Sequence, residues 1–240
     1  MGPGLGQDNP MVRFFIWDFD GTLGYRAGRW SSALQAVLQE ARPGQGFDGE
    51  LLSAHLRRGF PWHTPEAPHP ELSSPDAWWD ALLPVFVGAF EASGLDPSTS
   101  EELAGEVRGA YLDPRHWRPF EGAVPALRGL SSRGFTHLIL SNHVPELPGI
   151  LHDLGLDGHI TQIFNSAQSG YKKPHPRAFD AVLEAVTGAE AAWIVGDDPE
   201  ADVRGAEAVG LPAILVRGPK RGARHHCEDL SRIFDIVEGA

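Results

Sequence analysis

The sequence predicts an α/β fold, a doubly wound and mainly parallel sheet with an inserted α-helical domain. The apolar run at residues 13–17 ends abruptly in Asp18, and a continuous run of this length is typical of a strand buried on both faces. Strand-like and helix-like patterns then alternate from residue 124 to residue 216. Between these parts, residues 24–118 carry apolar side chains at helical spacing only.

The elements of the predicted core follow in chain order. After the first strand, strands are expected at residues 136–140, 160–164, 193–195 and 213–216. Helices are expected between them at residues 124–130, 147–154, 178–186 and 203–209, where apolar residues recur every three or four positions. Each helix is followed by a glycine that can end it in the left-handed conformation, and these glycines are Gly134, Gly155, Gly188 and Gly210.

The chain is expected to divide into three parts. Residues 1–11 are rich in glycine and proline and predict a flexible N-terminal tail, in which Met11 offers an alternative start to Met1. Residues 12–23 and 119–240 form the predicted core domain, and residues 24–118 form a helical cap domain over the carboxyl edge of the sheet. Hinges for cap movement are expected near Gly24 and at residues 120–122.

Composition restricts the classes of partner and compartment. The net charge of −12 argues against a nucleic-acid partner, because neutralising phosphates takes clustered lysine and arginine. The single cysteine, Cys227, cannot form an internal disulfide, so a reduced cytoplasmic location is expected. No apolar run approaches the roughly 20 residues needed to span a bilayer. The sequence leaves monomer and homodimer open.

Polar clusters follow three of the predicted strands. Asp18 and Asp20 follow the first strand, Ser141 follows the second, and Asp197 and Asp198 follow the fourth. Because ligands of parallel sheets bind at the carboxyl ends of the strands, these clusters are expected to converge on one site. Crowded carboxylates repel one another unless a cation joins them, and several carboxylate oxygens suit Mg²⁺. We therefore expect a magnesium site at this edge.

Four segments resemble the motifs of the haloacid dehalogenase-like (HAD) hydrolases. The segment Asp18-Phe19-Asp20-Gly21-Thr22-Leu23 is similar to the first motif, and Ser141-Asn142 is similar to the second. The segment from Gly170 to Pro176 resembles the third, with Lys173 as its functional lysine, and the segment from Gly196 to Asp202 resembles the fourth. The position of residues 24–118 resembles that of the helical C1 cap in the subfamily IA phosphatases, which are phosphoglycolate phosphatase-like. The resemblance implies a Rossmann-like core.

The resemblance also implies a catalytic mechanism at the first strand. Asp18 is the expected nucleophile, which forms an aspartyl-phosphate intermediate, and Asp20 is the expected acid and base. The implied cofactor is Mg²⁺, held by the Asp18 carboxylate, the Asp20 backbone carbonyl and Asp197. The predicted activity is therefore that of a phosphatase acting on a small phosphorylated metabolite.

The remaining motif residues are expected to bind phosphate or to support the site. Ser141, the backbone N–H of Asn142 and Lys173 are the implied contacts of the phosphoryl oxygens. Asp202 is expected to orient Lys173 or a metal-bound water, and Asp198 is expected to have a supporting role.

Several alternatives stay open at this stage. Asp20 favours phosphate chemistry over dehalogenation, because a leaving halide needs no proton. A sugar-phosphate mutase uses the same two aspartates, and a non-catalytic regulator that binds a phosphometabolite is the alternative from another class. Phosphonate cleavage is disfavoured because residues 24–118 contain no lysine for a Schiff base.

Outside the motifs, three expectations concern less specific residues. Lys172 is expected to be a solvated surface lysine, and His225-His226-Cys227 is expected to lie in a surface turn. The tryptophans of the predicted cap are interpreted as packing residues. Five cap residues are candidates for contact with a carboxylate or second phosphate of the substrate, although a solvated charge on a helix face is the favoured interpretation of each, and these are Arg26, Arg29, Arg57, Arg58 and His63.

Overall fold

A computed structural model describes residues 12–218, 220 and 222–238 of the protein, so the predicted tail at residues 1–11 lies outside the described part. The strands are β1 (Arg13–Trp17), β2 (Gly24–Arg26), β3 (Trp117–Pro119), β4 (Phe135–Ser141), β5 (Gln162–Asn165), β6 (Ala191–Gly196), β7 (Ala213–Val216) and β8 (His225–Cys227). The α-helices are α1 (Arg29–Ala41), α2 (Gly49–His55), α3 (Pro75–Asp80), α4 (Leu83–Ala92), α5 (Pro97–Leu112), α6 (Ala123–Ser131), α7 (Leu147–Asp153), α8 (Ser166–Ser169), α9 (Asp180–Ala185), α10 (Gly205–Ala208) and α11 (Ile233–Glu238).

Six of the strands form one parallel sheet, in the order β5-β4-β1-β6-β7-β8. The central strand β1 lies between β4 and β6, with Ile16 opposite Leu138 on one side and Ile194 on the other. Phe15 and Trp17 pack in one apolar cluster, whereas Ile16 packs in a second one. Because alternate residues of a strand point to opposite faces, both faces of the sheet are covered. The predicted α/β fold class is confirmed.

The helix predicted at residues 203–209 differs in form from the expectation. The chain first makes a π-helical segment, Pro199–Arg204, and only then continues as α10. Within the segment, the N–H of Val203 donates to the carbonyl of Asp198 at 3.3 Å, five residues back. The apolar spacing that predicts a helix cannot distinguish a π-helical segment from an α-helix, because both place apolar side chains along one face. Such π segments occur frequently at functional sites.

The segment His225-His226-Cys227 is a strand and not the expected surface turn. It forms β8 at the edge of the sheet, with His226 opposite Leu215, and Cys227 is buried. Burial raises the pKa of the Cys227 thiol to about 11. A strand of three residues is too short to show an alternating pattern, so its pairing with β7 is a product of tertiary structure.

The chain leaves and re-enters the core through a two-stranded antiparallel ribbon of β2 and β3. Helices α1 to α5 lie between the two strands, and we call residues 27–116 the helical insertion. The Arg108 guanidinium in α5 forms an ion pair of 2.7 Å with Glu146, which follows β4. The indole N–H of Trp79 also donates to Glu146, at 3.1 Å. These contacts hold the helical insertion against the loop after β4.

No helix in the described ranges is long and apolar enough to cross a bilayer.

Candidate active site

The carboxyl ends of β1, β4 and β6 open into a cavity of about 550 Å³ beneath the helical insertion. The cavity is lined by Asp18 and Asp20 after β1, by Asn142 after β4, by Asp197 after β6 and by Lys173. The backbone N–H of Asp18 still donates to the carbonyl of Val195 at 2.8 Å, so the first aspartate continues the register of the sheet. The structure thus brings the sequence clusters to one site.

The carboxylate of Asp18 is held at a single oxygen. The Ser141 hydroxyl and the Lys173 ammonium both donate to Oδ1, each at 2.9 Å. No described residue donates a hydrogen bond to Oδ2. Two charged or polar donors on Oδ1 fix the rotation of the carboxylate, and Oδ2 remains available to a ligand in the cavity.

Lys173 is buried at the centre of a hydrogen-bond network. Its ammonium also donates to the carbonyl of Leu140 and to Asp202 Oδ1, each at 2.6 Å. Burial alone would lower the pKa of Lys173, but Asp18 and Asp202 outweigh it and raise the pKa above its usual range. The lysine is therefore a cation throughout the neutral pH range.

The backbone of Lys173 is fixed by a neighbouring amide. Asn142 Nδ2 donates to the carbonyl of Lys173 at 2.9 Å, and the N–H of Lys173 donates back to Asn142 Oδ1 at 2.8 Å. This reciprocal pair ties the loop after β4 to the loop that carries the lysine. Asn142 thus has a positioning contact in addition to the expected phosphate contact of its N–H.

Asp202 and Asp198 complete the support of the lysine. Asp202 Oδ2 accepts a hydrogen bond of 3.0 Å from the N–H of Asp198. The Asp198 carboxylate in turn accepts from the N–H groups of Glu200 and Ala201, at 2.8 and 2.9 Å. Burial raises the pKa of Asp202, and the charge of Lys173 opposes that rise. Asp198 acts as a helix cap, which anchors the loop that presents Asp202.

Asp20 lies at the cavity with its side chain 26% exposed. Its Oδ1 has no hydrogen-bond partner among the described residues, and its Oδ2 is 3.9 Å from Arg29 Nε. Burial raises the pKa of Asp20 to about 6, Arg29 opposes the rise, and Asp18 adds to it. A carboxyl with this pKa exchanges a proton near neutral pH, which acid and base catalysis requires.

The acidic residues of the cavity are arranged so that a divalent cation fits. One carboxylate oxygen each from Asp18, Asp197 and Asp202 lie within 4.8 Å of one another. Burial, and to a smaller extent the charges of Asp18 and Asp20, raise the pKa of Asp197 to about 6. Both oxygens of Asp202 are engaged, Oδ1 by Lys173 and Oδ2 by the N–H of Asp198, whereas Asp18 is engaged at Oδ1 alone, so Asp18 and Asp197 are the carboxylates that can bind a metal.

Two glycines allow this close approach. Gly21 has φ +92°, and a Cβ at this position would overlap the Asp197 carboxylate. A Cβ at Gly196 would likewise overlap the carboxylate of Asp202. Any larger residue at these positions would displace an acidic side chain of the site.

The site also contains residues that sequence reasoning missed. His143 is buried at the cavity wall, and neither of its ring nitrogens has a hydrogen-bond partner in the described part of the chain. Arg217, which follows β7, donates to the carbonyls of Gly21 and, at 2.8 Å, Thr22. Its guanidinium lies 3.4 Å from the ring centroid of Phe120. The sequence feature that could have identified both residues is their position, because His143 directly follows the second motif and Arg217 directly follows a strand.

Lys172 is buried, which corrects the expectation of a solvated lysine. Burial lowers its pKa to about 8, and Glu71 opposes that change. The cause is a contact of the helical insertion with the core, where the N–H of His69 donates to the carbonyl of Gly170 at 2.8 Å. The sequence could not predict this cover because the two segments are about a hundred residues apart.

Among the five cap residues expected to contact substrate, the structure singles out one. Arg29 lines the cavity, whereas Arg57, Arg58 and His63 are not part of its wall. Arg26 is buried and directs its guanidinium to backbone carbonyls. The tryptophans divide in a similar way, since Trp78 and Trp79 are buried, and Trp30 and Trp62 line the cavity.

Comparisons with known proteins agree with this geometry. Human haloacid dehalogenase-like hydrolase domain-containing protein 3 is 33% identical over 156 residues, 62% of this chain and 59% of that protein. The phosphoserine phosphatase of Thermus thermophilus is 35% identical over 159 residues, 64% of this chain and 61% of that protein. The matches thus span about three fifths of these relatives.

A solved structure of YfnB from Bacillus subtilis has a TM-score of 0.72 at 19% identity. The superposition covers 95% of this chain and 99% of that one, which shows that the fold is shared. A family model described as haloacid dehalogenase-like hydrolase matches residues 12–210, which include all four motifs. The chain therefore belongs to the haloacid dehalogenase-like hydrolase family.

Proposed function

We propose that this protein is a magnesium-dependent phosphatase that hydrolyses a small phosphorylated metabolite through an aspartyl-phosphate on Asp18. The observation that carries the proposal is the state of the Asp18 carboxylate. One of its oxygens is held by Ser141 and Lys173, the other accepts no hydrogen bond from the described residues, and Asp20 lies at the same cavity. The similarity to a phosphoserine phosphatase supports phosphate chemistry over other reactions of the family.

The first half-reaction transfers the phosphoryl group to the protein. Asp18 Oδ2 attacks phosphorus, the bond from phosphorus to the ester oxygen breaks, and Asp20 donates a proton to that oxygen. Lys173 and Ser141, already placed beside the nucleophile, contact the phosphoryl oxygens, as does the N–H of Asn142. The protonated form of Asp20 is accessible because its pKa is about 6.

The second half-reaction releases phosphate. The Asp20 carboxylate takes a proton from water, the water oxygen attacks phosphorus, and the bond from phosphorus to Asp18 breaks. Asp18 is restored as a carboxylate and Asp20 as an acid. One residue serves both steps because its pKa lies near the working pH. A halide leaving group would not need this proton, so Asp20 favours phosphate esters over organic halides.

The cation expected in this site is Mg²⁺. The Asp18 and Asp197 carboxylates would hold it together with the backbone carbonyl of Asp20, and Gly21 leaves the room that the Asp197 carboxylate needs. When bound, Mg²⁺ neutralises negative charge between the carboxylates and the phosphate. The raised pKa of Asp197 is consistent with this site, because a bound cation would offset both the cost of burying its charge and the repulsion from Asp18 and Asp20.

We assign residues 12–23 and 119–240 to a core domain and residues 24–118 to a cap domain. The ribbon of β2 and β3 is the passage between them, and the contacts of Arg108 and Trp79 with Glu146 hold the cap closed. Opening at the ribbon would admit substrate, and closure would exclude bulk water during phosphoryl transfer.

The proposal is tested by measuring inorganic phosphate released from a panel of phosphomonoesters, with Mg²⁺ and with EDTA. We expect turnover that requires Mg²⁺, is abolished in Asp18→Asn, and persists in Arg58→Gln, a control at an exposed residue outside the cavity. Folded wild type that releases no phosphate from any ester in the presence of Mg²⁺ would overturn the proposal. A mutase or a non-catalytic binder would then become the better account.

A further inference from the structure

The described wall of the cavity contains two cationic side chains, Lys173 and Arg29. Lys173 is committed to Asp18, Asp202 and the carbonyl of Leu140, so it serves the phosphoryl end of the site. Arg29 comes from the helical insertion and faces the same space. A second cation in a cavity otherwise rich in carboxylates requires an explanation.

The backbone of Arg29 is held in an uncommon conformation. Its φ is 45°, in the left-handed region that residues other than glycine rarely adopt. The buried guanidinium of Arg26 stabilises it by donating to the carbonyl of Arg29 at 2.8 Å and to that of Ala110 at 3.1 Å. A buried arginine thus fixes the start of α1, where Arg29 reaches the cavity.

The Arg29 guanidinium has unused hydrogen-bonding capacity. Its nearest anion is Asp20 Oδ2 at 3.9 Å from Nε, which is beyond hydrogen-bond distance. It makes no side-chain hydrogen bond to any residue in the described ranges. The first turn of α1 contains no acidic residue and no described side chain caps its N-terminus, so the one described carboxylate paired with the guanidinium is Asp20. The side chain of Arg29 is 65% exposed at the cavity and makes no hydrogen bond to the described residues, so its N–H groups can also reach a ligand.

The surroundings of Arg29 indicate the rest of the ligand. Trp30 and Trp62 line the cavity beside it and offer apolar surface. His143 is buried in the same wall, and its ring nitrogens are closed to solvent, so it adds no polar contact for a ligand. The subsite combines one cation and apolar walls.

We propose that Arg29 binds a second anionic group, a carboxylate or a second phosphate, carried by the leaving group of the phosphomonoester. This inference rests on the proposed phosphatase function. Asp20 must contact the ester oxygen to protonate it, and Arg29 lies 3.9 Å from Asp20. With hydrogen bonds of roughly 3 Å at each end, the second anion lies within a few bonds of the ester oxygen. The substrate class is compact phosphorylated acids or short bisphosphates.

The test compares pairs of esters that differ in the second anion alone. O-Phosphoserine against O-phosphoethanolamine isolates a carboxylate, and ribulose 1,5-bisphosphate against ribulose 5-phosphate isolates a second phosphate. p-Nitrophenyl phosphate, which lacks a second anion, is the reference. In wild type we expect higher kcat/KM for the doubly anionic member of at least one pair, and the pair concerned identifies the anion.

The variants are Arg29→Gln, Arg29→Lys and the exposed control Arg58→Gln. We expect Arg29→Gln to lower kcat/KM for the preferred ester, mainly through KM, and to reduce the ratio of kcat/KM between the doubly and singly anionic members of that pair by about 10- to 100-fold, because any effect through Asp20 is common to both members. Arg29→Lys keeps the charge and should retain part of the preference, and it also serves if Arg29→Gln fails to fold.

The outcomes separate the two proposals. Mg²⁺-dependent turnover without any preference for a second anion, or an equal loss on all esters in Arg29→Gln, would overturn the role of Arg29 and leave the phosphatase function intact. A preference that survives unchanged in Arg29→Gln would do the same. Absence of turnover on every ester, with p-nitrophenyl phosphate included, would overturn both.

Discussion

Replacing Lys173 with methionine tests the buried network on which the site depends. The ammonium contacts Asp18 at 2.9 Å and Asp202 at 2.6 Å, and all three side chains are largely buried. Removing one partner of a buried ion pair costs about 3–5 kcal/mol, because the remaining charge is left uncompensated. For a chain of this length such a loss lowers the thermal midpoint by roughly 6–20 °C. Phosphate release should also fall by more than about 100-fold.

The double variant Lys173→Met/Asp202→Asn isolates the pair. An asparagine can still accept the hydrogen bond from the N–H of Asp198, which measures 3.0 Å, but carries no charge. We expect the double variant to recover about 1–3 kcal/mol of the free energy of unfolding lost in Lys173→Met. Urea unfolding at neutral pH in EDTA measures this difference without a contribution from bound metal. If the losses in Lys173→Met and Asp202→Asn add up to the loss in the double variant within about 0.5 kcal/mol, the ion pair is refuted.

Three further predictions concern the edges of the site. Gly21→Ala should weaken Mg²⁺ activation of turnover at least about 10-fold, because its Cβ overlaps the Asp197 carboxylate; an unchanged Mg²⁺ titration would contradict this. In EDTA, the pKa values of about 6 for Asp20 and Asp197 exceed their unfolded values, so the contribution of these two carboxyls to stability is fully present below about pH 4 and is lost as pH rises through 6. The loss is about 1–2 kcal/mol per carboxyl after allowance for screening, so the thermal midpoint of Asp197→Asn relative to that of wild type should be higher at about pH 7 than at about pH 4. Arg217→Gln removes the hydrogen-bond donors to the carbonyls of Gly21 and Thr22. Because Arg217 positions the loop after β1, this variant should lower kcat about 10-fold with KM nearly unchanged. Steady-state kinetics that show a wild-type kcat would exclude this positioning role.

The fold, and the meeting of the site residues at one edge of the sheet, could be predicted because both depend on patterns within short segments of sequence. A strand buried on both faces needs a continuous apolar run, as at residues 13–17, and the residue after it must lie at the carboxyl edge. Asp18, Asn142 and Asp197 therefore came together at one cavity as expected. The same argument needs no knowledge of how the helical insertion packs.

The errors and omissions depend on contacts between distant segments. Two adjacent lysines look alike in sequence, yet Lys173 reaches Asp18, and Lys172 is covered where His69 contacts Gly170. Strand β8 needs β7 beside it, because three residues show no periodic pattern. The selection of Arg29 from five cap residues likewise required knowing which side chains face the cavity.

The most direct test of the account is to identify the phosphorylated residue during turnover. Wild-type protein mixed with Mg²⁺ and a turned-over ester, quenched in acid and digested, should yield one phosphorylated peptide, with the phosphoryl group on Asp18. The same treatment of Asp18→Asn should yield no such peptide. Phosphate release by a wild type that never carries a phosphoryl group on Asp18, or a phosphoryl group mapped to another residue, would contradict the proposed mechanism.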